Sequence, residues 1–213
     1  WLVIRDRLPN ISTDEPPRSE KMPFRQVLRN GKLWLGAALL MLNNIFFYSW
    51  IGWSPALIIE KGADPGLGAL IASVSIWAFV PSVFLVPRLS FRLGVRKPFL
   101  WVTSFVLAGV SLGAVFASVP VSWAIMALAG VFNGARFVTI MALPIELMPR
   151  AAIGAATGLL VSVGYTGGII GPWVGGYLFD LTGGLDVTLY ILCGVSAVTG
   201  LLALKMPETR AGN

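Results

Sequence analysis

Residues 98–135 read PFLWVTSFVLAGVSLGAVFASVPVSWAIMALAGVFNGA, an apolar stretch that contains no charged residue. About 20 apolar residues are enough for a helix to cross the hydrocarbon core of a bilayer. The stretch is therefore long enough for two crossings. Residues 118–122, SVPVS, combine proline with short polar side chains and predict the turn between the two. We expect two successive membrane-spanning helices here.

Four more charge-free stretches flank this one, at residues 33–59, 65–87, 151–179 and 187–204. Their apolar residues do not alternate with polar ones, as the strands of a membrane β-barrel would require. Together the stretches predict an all-α membrane protein with six transmembrane helices, at about 33–55, 67–87, 98–118, 121–143, 153–178 and 187–205.

The composition excludes several other classes of protein. Hydrophobic residues make up 56% of the chain and charged residues only 12%, which is incompatible with intrinsic disorder. Cys193 is the single cysteine, so no internal disulfide is predicted, and the absence of histidine excludes histidine-based catalysis and metal binding. The net charge of +6 is attributed to membrane topology, because nucleic acid is not the expected partner of so apolar a chain.

The positions of lysine and arginine predict the orientation in the membrane. Nearly all of them fall in residues 1–32, in the loop at 88–97, at Arg150 and in the C-terminal tail. Lys61 lies alone in a loop on the opposite side. Because cytoplasmic loops carry the excess of positive residues, both ends are predicted to be cytoplasmic, in the cell (inner) membrane.

Three regions are predicted along the chain. Residues 1–32 are polar and proline-containing and are assigned to a cytoplasmic linker, residues 33–210 to the six-helix bundle, and residues 211–213 to a cytoplasmic tail. The chain begins at Trp1 and not at methionine, so we expect it to be a piece of a longer protein.

Arg136 is the one charged residue inside a predicted span, about seven residues, or roughly 10 Å, from the cytoplasmic end of the fourth helix. A cation at this depth is costly unless it faces protein or water. Asn133 lies one turn before it. We expect Arg136 to line a cavity and pair with an anionic group of a substrate. The alternatives are that it reaches the interface, or that it pairs with a carboxylate from outside these six helices.

The first predicted span is rich in polar and aromatic side chains. Asn43 and Trp50 share one helical face, and Asn44 and Tyr48 share the neighbouring face. Trp50 is alternatively an anchor at the membrane interface. Pro55 predicts a break near the outer end of this helix. With Tyr165 of the fifth span, the candidates for substrate contact are Arg136, Asn133, Asn43, Asn44, Tyr48, Trp50 and Tyr165.

Two motifs resemble those of the major facilitator superfamily of secondary transporters. Residues 87–97, PRLSFRLGVRK, resemble its loop signature G-x-L-x-D-R-x-G-x-[RK]-[RK], with Pro87 and Phe91 in place of the Gly and Asp. The fifth span carries G-x8-G-x3-G-P-x2-G from Gly158 to Gly175, which is similar to the glycine-proline helix of the family. The residues assigned to gating or close packing are Gly94, Arg92, Arg96, Gly167, Gly171, Pro172 and Gly175.

The resemblance implies half of a twelve-helix carrier. Residues 180–183, DLTG, and 207–210, PETR, resemble elements at the end of the family's second half, so we interpret the chain as a C-terminal six-helix half. An N-terminal six-helix half, in the same longer chain or as a partner, is then implied, since the two halves of such carriers are related by an axis along the membrane normal.

The implied function is secondary active transport of a small solute by alternating access, within the lipid bilayer. The polar group around Arg136 favours a small anion as substrate, by symport or antiport, and the many aromatic residues leave efflux of hydrophobic compounds as the alternative. A non-transporting membrane scaffold is a third hypothesis. No nucleotide motif, catalytic constellation, metal site or cofactor site is recognised, so no enzyme activity is expected.

Overall fold

The computed structural model describes residues 24–93 and 97–206, and all regular structure within these residues is helical. A short helix α1 precedes six long ones, and a short α6 and a 3-10 turn at Arg150–Ala152 lie between the fourth and fifth of these. The helices are α1 Phe24–Leu28, α2 Gly31–Glu60, α3 Pro65–Leu93, α4 Lys97–Phe116, α5 Val119–Met141, α6 Leu143–Leu147, α7 Ile153–Thr182 and α8 Asp186–Leu204.

The six long helices are each long and apolar enough to cross a membrane, which confirms the predicted number of spans. Their ends follow local chemistry. Asn30 accepts hydrogen bonds from the backbone of Lys32 and Leu33 and starts α2, and Gly183 adopts a left-handed conformation (φ 72°) that ends α7. The break predicted at Pro55 is wrong, because α2 continues through this residue to Glu60.

The connections alternate between two ends of the bundle. At one end, which we call the basic end, the side-chain amide of Asn30 donates to the sulfur of Met148 at 3.2 Å. At the other, the Lys61 end, the Lys61 ammonium donates to the backbone carbonyl of Val115 at 2.9 Å. The described cations at the basic end are Arg25, Arg29, Lys32, Arg88, Arg92, Lys97, Arg150 and Lys205.

Helix α2 is the centre of the bundle, where it packs against α3, α5, α7 and α8. Helix α3 pairs with α5, and α4 pairs with α8 and α5. Two hydrophobic clusters fill the interior. One surrounds Trp50, Leu57 and Met126 toward the Lys61 end, and the other surrounds Leu33, Ile140 and Leu160 toward the basic end.

Helix α7 contacts α2 along a row of glycines. A Cβ atom added at Gly167 would collide with the backbone carbonyl of Met41, and one at Gly171 would lie 2.5 Å from the carbonyl oxygen of Ile45. Small residues are required wherever two helix backbones approach this closely. At Gly175 the added atom would meet the indole of Trp53. We call this contact the glycine seam, formed by Gly164, Gly167, Gly171 and Gly175 of α7.

Two hydrogen bonds fix α7 against α2 along the seam. The Asn44 amide donates to the Gly164 carbonyl at 3.1 Å, and the Trp53 indole donates to the Pro172 carbonyl at 3.3 Å. Helix α7 is continuous through Pro172, from Ile153 to Thr182. The seam therefore sets the position of α7, and with it the direction in which Tyr165 points.

Candidate functional site

Arg136 of α5 is 0% exposed and is surrounded by uncharged groups. Its Nε donates to the side-chain oxygen of Asn43 at 2.8 Å, which joins α5 to α2. Its Nη2 donates to the side-chain oxygen of Asn133 at 3.4 Å. Its Cζ lies 5.1 Å from the centre of the Phe46 ring, within the range of a cation–π contact. We call Arg136, Asn43, Asn133 and Phe46 the arginine centre.

Several donors of the arginine centre lack an acceptor among the residues that the structure describes. These are Nη1 of Arg136 and the side-chain nitrogens of Asn43 and Asn133, all buried. A buried guanidinium usually finds a carboxylate, since an uncompensated buried charge is costly. The described acids all stand at or near helix ends: Glu60, Asp64, Glu146, Asp180 and Asp186. Within the described residues, the arginine centre therefore has donors that are not used in hydrogen bonds.

A connected set of aromatic rings crosses four helices. Ring centres are 5.9 Å apart between Phe137 and Phe79, 5.3 Å between Phe79 and Phe47, and 5.4 Å between Phe47 and Tyr48. Tyr48 meets Tyr165 at 6.3 Å. We call these five residues the ring band. They come from α5, α3, α2 and α7, whereas α4 and α8 contribute none.

The two tyrosines of the ring band are exposed near the middle of their helices. Tyr48 is 36% exposed and Tyr165 is 44% exposed, and α2 and α7 have 30 residues each. Tyrosine normally reaches the membrane interface, where its hydroxyl finds a partner. At mid-depth, hydrocarbon would leave both hydroxyls without one. We call the side of the bundle that carries the ring band the ring face.

Phe47 connects the ring face with the arginine centre. Its half-buried ring contacts Tyr48 and Phe79 on one side. On the other it lines a cavity of about 10 Å³ that Asn133 and Phe46 also line. A cavity of this size has room for about one water molecule. Phe47 therefore contacts both the ring band and the small cavity that Asn133 lines.

The remaining predicted contact residues make contacts within the bundle. Trp50 is buried, stacks on Phe46 with 5.5 Å between ring centres, and donates its indole N–H to the Ser75 hydroxyl at 3.2 Å. It therefore lies among the helices and does not reach the membrane interface. Asn44 is buried against Gly164, as described above. The structure brings Arg136, Asn133 and Asn43 together, and separately Tyr48 and Tyr165.

Three residues of the loop motif, 94–96, lie outside the described residues. Arg92 is exposed in the last turn of α3, and Gly94 and Arg96 lie outside the described residues. Sequence reasoning missed Phe137, whose only signal is its position next to Arg136. Phe47 and Phe79 are not among the candidates for substrate contact named from the sequence, because ring contacts among three helices are not visible in the spacing along one helix.

Comparison with known proteins agrees with this architecture. The sequence profile of the Major Facilitator Superfamily matches residues 60–213. The uncharacterized transporter YycB of Bacillus subtilis is 26% identical over 194 residues, covering 88% of this chain and 47% of YycB. The 2-nitroimidazole transporter of Escherichia coli is 27% identical over 212 residues, covering 94% of this chain and 51% of that protein.

A solved structure shows the same fold. The fucose:proton symporter of Escherichia coli superimposes with a TM-score of 0.75 at 17% identity, covering 87% of this chain and 45% of the symporter. The chain thus spans about half the length of these three relatives. Six apolar helices, the matched profile and the shared fold have one consequence: this chain is an integral membrane protein of half-carrier size that belongs to the Major Facilitator Superfamily.

Proposed function

We propose that this chain is one six-helix half of a secondary transporter, which moves a small solute across the membrane by alternating access. The exposed position of Tyr48 and Tyr165 near mid-span carries the proposal, since their hydroxyls need water, a solute or another protein surface in place of lipid. The ring face then lines the path of the solute. The family consists of carriers without enzyme activity, which supports this function.

The other wall of the path comes from a second six-helix half. The chain covers 45–51% of the three relatives described above, which is the share expected of one half. We assign this chain to the C-terminal half and the missing wall to the N-terminal half, in the same longer chain or as a partner. Both ends of the chain are then cytoplasmic, in the cell (inner) membrane.

A small anion is the proposed substrate. The support is Arg136, whose Nη1 has no acceptor among the described residues and whose neighbours are neutral amides and a ring. An anion at this place would be held by charge-assisted hydrogen bonds, which are stronger than neutral ones. The arginine centre is fully buried and the cavity beside it has a volume of only about 10 Å³, so in this proposal Phe47, which lines the cavity, moves aside when the anion enters.

A hydrophobic compound is the second candidate substrate. The ring band supports it, since its five aromatic side chains form a continuous apolar surface beside a cation that is already in contact with two amides. This substrate would contact the rings without reaching Arg136. The two candidates differ in their dependence on Arg136, which makes them separable.

Reconstitution tests transport itself. We expect gradient-driven uptake into proteoliposomes that contain this chain together with an N-terminal half, and none with either half alone, measured against a panel of anions and hydrophobic compounds. Absence of uptake with every partner half tested, from chains shown to be folded, would contradict transport and favour a membrane scaffold.

Substitution of Arg136 tests the anion. We expect Arg136→Gln to raise KM for an anionic substrate by roughly ten- to a hundredfold, because one charged hydrogen bond contributes about 1.5–3 kcal/mol. Arg136→Lys keeps the charge and loses the planar fork, so its KM should lie between that of the unmodified protein and that of Arg136→Gln. Arg150→Gln, at an exposed position of the basic end, is the control. An Arg136→Lys protein with unchanged KM would contradict a specific role of the guanidinium group in binding the anion.

A further inference from the structure

We infer that the ring band is a selectivity wall for planar, π-rich solutes, so that among anions of equal charge and similar size the carrier prefers the flat aromatic one. This inference rests on the proposed function and names the substrate class of the same path. It assigns a role in substrate binding to Phe79 and Phe137, which the sequence did not single out for contact with an anion.

The geometry of the rings supports stacking with a solute. Interplanar angles run from 33° to 76° along the contacts between Phe137, Phe79, Phe47, Tyr48 and Tyr165. None of these four contacts is a parallel stack, so the rings do not cover each other face to face. Aromatic faces at such spacings attract another ring at offset-stacked or edge-on positions, beyond the area that is buried. An aliphatic ring of the same size gains only the free energy of burying its apolar surface.

The position of Tyr48 is set by the backbone of α7. A Cβ atom added at Gly168 would lie 2.9 Å from the Tyr48 ring, so the absence of a side chain at this residue allows the ring to lie flat against the helix. Its contact with Tyr165 then continues the band from α2 to α7. The ring band therefore packs against the backbone of α7, and its contact surface is already formed before a solute binds.

The charge next to the band indicates which planar solutes fit. Phe137 follows Arg136 directly in α5, and Phe47 lies one helical turn from Asn43, so two rings of the band come from positions next to the arginine centre. A flat ring that carries one negative group complements both the ring band and the positive charge of Arg136. Its ring would rest on the band and its charge would point toward Arg136 once Phe47 has moved aside.

Four probes separate planarity from charge. Benzoate and cyclohexanecarboxylate share a carboxylate and differ in the ring, and benzamide and cyclohexanecarboxamide are their neutral counterparts. We expect benzoate to bind the assembled carrier, this chain with its N-terminal half in lipid nanodiscs, about two- to tenfold more tightly than cyclohexanecarboxylate, a ratio that corresponds to aromatic pairing. Calorimetric titration measures the four dissociation constants, with empty nanodiscs correcting for partition into lipid.

Ring variants locate the preference. Phe79→Leu and Phe137→Leu keep an apolar side chain and remove a ring, so each should reduce the ratio of the two acids toward one. Phe84→Leu is the matched control, because Phe84 is exposed on the same helix as Phe79 and takes part in none of the ring contacts described. It should leave the ratio unchanged. Thermal melting of each variant establishes that the protein is folded.

The outcomes distinguish the inference from the proposed function. Equal binding of the two acids, a preference that survives both ring variants, or no binding of either planar probe would overturn the inference. If both acids bind more tightly than their amides but equally tightly to each other, the anionic substrate is supported and the preference for planar solutes is contradicted. If benzamide binds as tightly as benzoate, both bind more tightly than their saturated counterparts, and Arg136→Gln changes neither, the preference for planar solutes is supported and the anionic substrate is contradicted.

Discussion

Arg136 carries a charge at a place where the surrounding groups are neutral. Asn43 and Asn133 turn their oxygens toward the guanidinium, and Phe46 offers the negative face of its ring. Such partners lower the free energy needed to bury the charge but do not remove it. The residue therefore joins α5 to α2 and at the same time keeps part of its capacity for an acceptor. Both roles arise from the same side chain, and only a coupled measurement separates them.

The contribution of Asn43 to stability is testable by a double-mutant cycle. Asn43→Leu removes the acceptor of Arg136 Nε and should lower the free energy of unfolding by about 1.5–3 kcal/mol, as expected for a hydrogen bond to a charged group. In the Arg136→Met background the same change should cost less, since no charge is left unpaired. Thermal melting in detergent measures all four proteins.

Asn44→Leu serves as the control for this cycle. It removes the hydrogen bond to the Gly164 carbonyl in the glycine seam, which does not involve Arg136. Its effect should add to that of Arg136→Met. If Asn43→Leu and Arg136→Met also turn out to be additive, the contact between these two side chains contributes nothing to stability.

The sequence identified Arg136, Asn133 and Asn43 as candidates because charged and amide side chains are rare in apolar spans. It did not predict that Arg136 would be fully buried within its own half of the bundle. The rotation of each helix about its axis decides this, and a span that is apolar on most of its surface carries little information about that rotation in its sequence. Their role in substrate binding stays a prediction.

At the scale of the elements, α2 and α7 pack as a pair, and glycines of α7 allow the two backbones to approach closely. The pattern from Gly158 to Gly175 predicts close packing, but not its partner. In the structure Gly167, Gly171 and Gly175 face α2, whereas Gly158 has nothing within 4 Å of an added Cβ. The resemblance to a motif therefore covers residues in two different environments, and only the structure separates them.

This difference predicts opposite effects for the same substitution along α7. Gly167→Ala and Gly171→Ala should each destabilise the protein by about 1–3 kcal/mol, because the added methyl group overlaps the backbone of α2. Gly158→Ala should be neutral or stabilising by about 0.5–1 kcal/mol, since alanine favours a helix where space is open. Melting temperatures in detergent measure both. A loss of stability at Gly158 as large as that at Gly167 would contradict the glycine seam.

The ends of the helices were more predictable than their faces. Each of the six predicted spans overlaps one long helix, since charged residues mark where a chain leaves the membrane. The helices that extend furthest beyond their predicted spans are α2 and α3, which run to Glu60 and Leu93. Proline suggested an earlier end at Pro55, yet α2 continues through it. A proline inside a helix removes one backbone donor, and transmembrane helices tolerate this loss.

At the scale of the whole molecule, charge and connectivity agree. The six long helices run alternately up and down, so the connection at residues 61–64 and the 3-10 turn at Arg150–Ala152 lie at opposite ends. The basic end carries the described cations other than Lys61 and the buried Arg136. A bundle with an even number of spans begins and ends on one side, and the excess of lysine and arginine predicts that this side is the cytoplasmic one.

Chemical labelling of single cysteines tests this orientation. Cys193→Ser removes the half-buried cysteine of α8, and Glu60→Cys or Arg150→Cys then places one thiol at an exposed residue of either end. We expect a membrane-impermeant maleimide added to intact cells to label Glu60→Cys at once. Arg150→Cys should be labelled only after the membrane is opened, because the cations around it remain in the cytoplasm. The reverse pattern would place the basic end outside and contradict the orientation, while equal labelling of both in intact cells would contradict the span count between them.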